Sequence, residues 1–161
     1  MSLRTAVAVA FSLMLTAVAH ADVDLDISGN LLPPFCTVHD GSHGTISVDF
    51  GDEININRLD GTRYRKTVPY QIDCEDDGQP WQLKLKLVGV TAWNNQTLQS
   101  DKANLGLRFE LAGSTVELGR EIPIASRASL PVLTVVPVKD ARNDPSEGLF
   151  NATANLQAEY Y

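Results

Sequence analysis

Small or apolar residues alternate with polar ones along the last fourteen positions of the chain. Asn151, Thr153 and Glu159 belong to the polar set, and such a period of two is typical of a half-buried β-strand. Because chain ends usually fray unless something holds them, we expect the strand predicted over 148–161 to take part in an interaction. Its apolar face comprises Gly148, Phe150, Ala152, Ala154, Leu156, Ala158 and Tyr160.

Residues 1–21 have the organisation of a secretory signal peptide. Arg4 provides the positive charge, an apolar stretch runs from Ala6 to Ala19, and the motif completed by Ala21 matches a cleavage site. The apolar stretch is too short to favour a membrane span, and no later segment has the ~20 apolar residues that a span needs. We therefore expect an exported protein with no membrane span after cleavage.

A second alternating segment follows the predicted cleavage site. Pro33 and Pro34 end it, and because proline has no N–H group for a sheet ladder, they separate an arm, 22–34, from the remainder of the chain, 35–161. Two interpretations stay open from the pattern alone: the arm completes its own fold, or it pairs with another chain. The apolar face of the arm comprises Val23, Leu25, Ile27, Gly29 and Leu31.

The remainder of the chain consists of short alternating segments and turn signals, without sustained helical periodicity. This organisation predicts an all-β, immunoglobulin-like sandwich. About six strands are predicted after Cys36, one fewer than the seven of a complete sandwich. The predicted strands before the last are 45–50, 67–74, 81–87, 105–111 and 130–138.

Cys36 and Cys74 are the two cysteines, and both follow the predicted signal peptide. In an oxidising compartment such a pair forms a disulfide. A metal or catalytic pair is the alternative, but the spacing matches no zinc motif and no base for a catalytic thiol is evident. The formal net charge of −7 without a basic stretch argues against nucleic-acid binding.

Few residues suggest other chemistry. His39 and His43 flank a short polar segment and offer two metal ligands, although a polar loop is the favoured interpretation. Trp81 or Trp93 offers a stacking surface for sugar, which keeps a secreted carbohydrate-binding β-sandwich as an alternative function. No recognisable catalytic motif is present, so we expect no enzyme, no cofactor and no bound metal.

Four motifs occur in order along the chain. Gly29 lies in the arm shortly before Cys36, Val48-Asp49-Phe50-Gly51 follows, Tyr70-Gln71-Ile72-Asp73-Cys74 carries the second cysteine, and Gly148 and Tyr160 bracket the last strand. Together these motifs resemble those of the structural subunits of chaperone–usher fimbriae. The arm and the lack of room for a receptor-binding domain point to a non-adhesin subunit, and Asn30-Leu31-Leu32 inclines us toward a minor tip or adaptor subunit.

The resemblance implies an incomplete immunoglobulin-like sandwich that lacks its last strand. A periplasmic chaperone lends a strand, which the arm of an adjacent subunit replaces at the outer-membrane usher. The implied course runs from the periplasm to a surface fimbria that supports adhesion. Residues 22–34 are then a donor strand, 35–161 the pilin-type domain, and the last strand binds the chaperone, with the carboxylate of Tyr161 pairing with basic groups.

Overall fold

The computed structural model describes residues 25–31, 35–75 and 82–161. The predicted signal peptide, Val23, the Pro33-Pro34 hinge and Trp81 lie outside the described residues. The chain divides into two units between Leu31 and Leu32. In the first unit, residues 25–31 belong to no strand, and the side chains of Leu25, Ile27 and Leu31 are exposed.

The described residues of the second unit form an all-β structure. Every strand pair is antiparallel, and one short 3-10 helix spans Ile56–Arg58. No helix in this part of the chain is long and apolar enough to cross a membrane. The strands are β1 (Cys36–His39), β2 (Lys66–Thr67), β3 (Gln71–Cys74), β4 (Leu83–Val88), β5 (Thr97–Gln99), β6 (Leu105–Leu111), β7 (Ser114–Thr115), β8 (Glu121–Ile124), β9 (Leu133–Lys139) and β10 (Asn155–Tyr160).

Two sheets and a smaller strand pair make up the sandwich. One sheet has the order β10-β4-β8, and the other has the order β2-β9-β6-β5 with β7 also paired to β6. β1 pairs with β3, and an isolated bridge between Phe35 and Glu159 connects the start of β1 to β10. The first and last described parts of this unit therefore meet.

The core lies between the faces that the alternating pattern assigned inward. Leu83, Leu85 and Leu87 of β4 are buried and pack in one cluster with alternate residues of β6 and β9. Full burial of a leucine side chain stabilises the fold by roughly 1.5–3 kcal/mol. Lys84 and Lys86 of the same strand are only partly buried, as a period of two requires.

Three predicted strands are confirmed in place. β6 spans the predicted 105–111, while β4 and β9 differ from their predicted bounds by a few residues. β6 is more enclosed than predicted, because Gly106 and Glu110 on its second face are also buried. The predicted strand 67–74 is interrupted between β2 and β3, where Pro69 cannot donate to a ladder.

Two predicted strands are wrong in part, and both errors have one cause. Residues 45–50 form no strand, and the last strand begins at Asn155 instead of Gly148. The side chains of Ile46, Val48 and Phe50 are nevertheless half-buried and alternate with exposed ones. The pattern identified the faces correctly, but a strand also needs a neighbouring strand to form a ladder with, and neither segment pairs with a strand of the described structure.

Candidate functional site

An apolar groove opens between the two unpaired segments. It encloses a cavity of about 560 Å³, and an adjoining cavity of about 850 Å³ shares several of its lining residues. Ile46, Val48 and Phe50 line one wall, and Ala152, Ala154 and Leu156 line the other. The floor consists of side chains from the sandwich core: Val68, Leu87, Leu98, Leu107, Phe109, Leu133 and Val135.

Backbone hydrogen bonds show how the second wall is oriented. The N–H group of Asn151 donates to the side-chain carboxylate of Asp101, and the carbonyl of Asn151 accepts from the N–H group of Asp101. The N–H group of Tyr161 donates to the carbonyl of Gln82. Successive residues of an extended chain direct these groups to opposite sides. The odd-numbered residues therefore bond toward the body of the sandwich, and the even-numbered ones face the other way.

The even-numbered side of this segment is covered at one end only. Near Ala158 and Tyr160, the bridge from Phe35 brings β1 alongside β10. Upstream, at Phe150, Ala152 and Ala154, no strand of the described structure pairs with that side. The groove thus has an open backbone edge above an apolar floor, which is the arrangement that an added β-strand fills.

The structure places the predicted residues of the last strand as follows. Ala158 is buried, and Phe150, Ala152, Leu156 and Tyr160 are half-buried against the core. Ala154 is exposed because the groove above it is open.

Each end of the predicted strand meets a lysine from a distant part of the chain. Gly148 has a φ of 111°, and Lys102 Nζ donates to the carbonyl of the preceding residue, Glu147. Tyr161 is about half exposed, with its ring 5.6 Å from the Lys84 ammonium.

Cys36 and Cys74 form a disulfide, and they are also directly paired across β1 and β3, with their Cα atoms 4.0 Å apart. The bond closes a sequence separation of 38 residues. It joins β1 to β3, and β1 in turn meets the end of β10 through the bridge between Phe35 and Glu159. The disulfide therefore lies at the end of the sandwich where β1 covers the even-numbered side of β10.

His39 and His43, which the sequence offered as two ligands, form a cluster with Asp73, which the sequence did not connect with them. His39 Nε2 lies 2.9 Å from a carboxylate oxygen of Asp73, and His39 Nδ1 accepts a hydrogen bond from the N–H group of Gly41. This pairing places the ring proton on Nε2. The two imidazole rings stack with an angle of 7° between their planes, and His43 Nε2 lies 3.5 Å from the same carboxylate of Asp73. The cluster anchors the loop that leads into the wall 45–50.

Trp93 is half-buried at the edge of the second sheet. One of its ring carbons lies 3.3 Å from the position that a Cβ atom on Gly106 would occupy. The indole therefore covers β6. Sequence reasoning missed Asp101 and Lys102, which hydrogen-bond to the second wall of the groove, because nothing local connects them with a segment about fifty positions away.

Comparisons with known proteins identify the class. The family described as "Fimbrial protein" matches residues 25–161, so the chain belongs to that family. It is 29% identical to the "Fimbrial adapter PapF" of Escherichia coli and 34% identical to the "Minor fimbrial protein PrsF" of the same species. Both alignments cover 92% of this chain and 95% of the relative.

The solved structures agree with the sequence relatives. The structure of the P pilus adaptor subunit PapF superimposes with a TM-score of 0.56 at 26% identity, covering 82% of this chain and all of that one. The predicted class, a chaperone–usher fimbrial subunit with an incomplete immunoglobulin-like sandwich, is confirmed. The carbohydrate-binding alternative is not favoured, since the relatives are structural proteins of fimbriae.

Proposed function

We propose that the groove is the acceptor site for a donor β-strand, supplied first by a periplasmic chaperone and then, at the outer-membrane usher, by the arm of an adjacent subunit. The observation that supports this most directly is the open backbone edge at Phe150, Ala152 and Ala154 beside an apolar floor. A pairing strand satisfies this edge with main-chain hydrogen bonds, while its alternate side chains enter the groove.

The sizes of the lining residues fit this role. Ala152 and Ala154 are small, so the wall leaves volume above Leu87 and Leu98 for the side chains of a donor. Without a donor, the groove exposes both apolar surface and unpaired backbone, which promotes aggregation. That is the physical reason for capture by a chaperone before assembly.

The arm, 22–34, is the donor strand in this proposal, offered to the groove of another subunit. Its apolar residues Leu25, Ile27 and Leu31 are exposed, and no atom lies within 4 Å of a Cβ built on Gly29. Residues 1–21 are removed on export through the periplasm, and 35–161 form the acceptor domain. Tyr160 and Tyr161 contact the chaperone, and the chain takes a minor or adaptor position in the fimbria, without enzymatic activity.

A matched pair of variants tests the acceptor site. Ala154 is exposed and lines the groove, whereas the neighbouring Thr153 is exposed on the other face. Ala154→Arg should block the donor strand while leaving the core intact, and Thr153→Arg should not. We expect co-expression with a fimbrial periplasmic chaperone to yield a one-to-one complex with the wild type and Thr153→Arg, but not with Ala154→Arg. Equal recovery of both variants would refute the acceptor assignment.

A further inference from the structure

Residues 147–152 of the groove wall are held from a distant part of the chain. The N–H group of Asn151 donates to Asp101 Oδ1 at 2.8 Å, and the Asn151 amide Nδ2 donates to Asp101 Oδ2 at 3.3 Å. In return, the N–H group of Asp101 donates to the carbonyl of Asn151 at 2.9 Å. Lys102 Nζ donates to the carbonyl of Glu147 at 2.9 Å.

Asp101 thereby takes the place that a residue of a neighbouring strand would occupy opposite Asn151. It both donates to and accepts from the backbone of Asn151, as the partner residue in an antiparallel ladder does. The ladder with β4 begins only at Asn155, so the wall upstream of that residue depends on these contacts for its orientation. Asp101 itself lies in the connection between β5 and β6, in the other sheet.

From this geometry we propose that Asp101 and Lys102 are positioning residues that fix the backbone register of the acceptor wall. The inference rests on the proposed function of the groove. With both backbone groups of Asn151 engaged by Asp101, those of Phe150 and Ala152 point into the groove, where a donor strand can bond them. A rotation of the wall by one residue would exchange the apolar and polar faces.

The second anchor accounts for the glycine at the start of the wall. Gly148 has a φ of 111°, a conformation that residues with side chains rarely adopt. A Cβ atom there would lie 3.0 Å from Lys102 Nζ. The glycine therefore lets the Lys102 ammonium reach the carbonyl of Glu147.

The charge state of Asp101 keeps its hydrogen bonds to Asn151, which we call the clamp, in place. Hydrogen bonds from Asn151, first from its backbone N–H group and then from its side chain, hold the pKa of this carboxyl below its ordinary value of 3.8. The carboxylate therefore accepts both bonds throughout neutral and mildly acidic conditions.

Hydrogen exchange on the purified complex with a fimbrial periplasmic chaperone tests the proposal. In Asp101→Ala, we expect the amides of Phe150, Ala152 and Ala154 to exchange roughly tenfold faster than in the wild type. Amides of β10 should be unaffected. Asp101→Asn keeps an acceptor for the Asn151 N–H group and should remain within about threefold of the wild type. Asp140→Ala, which removes a carboxylate bonded within its own loop, is the control and should have no effect.

The outcomes separate the two proposals. Equal protection of the three amides in the wild type and Asp101→Ala would overturn the clamp while leaving the acceptor groove intact. A wild-type chain that forms no chaperone complex would instead refute the proposed function. If Asp101→Ala is not recovered, the same exchange measurement is made on Lys102→Met. This variant removes only the hydrogen bond to the carbonyl of Glu147. Unchanged exchange in Lys102→Met would also count against the proposal.

Discussion

The rings of Phe50 and Phe150 face each other from the two walls of the groove, with their centroids 6.0 Å apart and their planes inclined by 39°. Each is half-buried, and the two residues lie 100 positions apart in the sequence. In the described structure, no strand joins the two segments that carry them. The aromatic contact is therefore one of the direct interactions between the walls, and both rings pack against the hydrophobic core.

Replacing Phe150 should weaken this contact. We expect Phe150→Ala to lower the free energy of unfolding of the purified chain by about 1–2 kcal/mol, since tilted aromatic pairs contribute up to roughly 1.5 kcal/mol beyond their area burial. Leu149→Ala is the matched control, because the side chain of Leu149 is exposed. Urea denaturation measures both, and equal midpoints for the two variants would contradict the prediction.

Loss of the disulfide should be severe. Removing the bond between Cys36 and Cys74 frees a loop of 38 residues in the unfolded chain, so Cys74→Ser should cost about 3–4 kcal/mol and greatly reduce accumulation in the periplasm. The double variant Cys36→Ser/Cys74→Ser should behave like the single one. Alkylation of the folded wild type followed by mass spectrometry checks the premise; two free thiols would disprove it.

The arm prediction uses two neighbouring residues. Gly29 lies on the apolar face, and no atom of the described structure lies within 4 Å of a Cβ at this position. We therefore expect Gly29→Tyr to leave the chain itself folded and bound to chaperone, but to block donation of the arm into a partner's groove. Asn30→Tyr adds the same bulk to the polar face and should still donate.

Mixing the chaperone complexes of two subunits and following the subunit–subunit product on a gel measures this donation. Normal assembly with Gly29→Tyr would show that the arm is not the donor strand. Loss of the Gly29→Tyr chain before any mixing would point to the other interpretation, in which the arm completes its own fold.

Gly106 is a packing constraint in the second sheet. A Cβ atom there would lie 2.3 Å from a methyl carbon of Thr97 and 2.9 Å from the carbonyl oxygen of Leu98. Because the backbone of β5 must shift to admit it, Gly106→Ala should destabilise the chain by roughly 2–3 kcal/mol. Gly113→Ala meets no atom within 4 Å and suffers only from its φ of 82°, so about 1 kcal/mol is expected. A smaller loss for Gly106→Ala than for Gly113→Ala in thermal unfolding would refute the explanation.

Stability should fall only at strongly acidic pH. Backbone N–H groups donate to the carboxylates of Asp60 and Asp101 and hold the pKa of each below its ordinary value of 3.8. A depressed pKa in the folded state contributes stability that is present above the unfolded value and is lost as pH falls. We expect a constant urea midpoint from pH 7 to 5 and a decline below about pH 4, with a shallower decline in Asp60→Asn. A transition between pH 5 and 6 would be inconsistent with these carboxylates as its source.

The sequence alone determined the features that depend on neighbouring residues in the chain. Alternation of side chains decided that the chain is all-β and which residues of β4, β6 and the last strand face the core, because the period of a strand is a property of its own backbone. The motifs around Cys36, Cys74, Gly148 and Tyr160 were sufficient for the family. Strand faces and class could therefore be read without a structure.

Only the tertiary structure decided where strands are missing. Residues 45–50 and 148–154 have the pattern of strands, yet pairing depends on a neighbour that no local pattern specifies. The same holds for Asp101 and Asn151, which are fifty positions apart and meet only because β5, β6 and the last segment converge at one end of the groove. The open backbone edge consists of segments that the fold leaves unpaired. It can be identified only when the pairing of all the other strands is known.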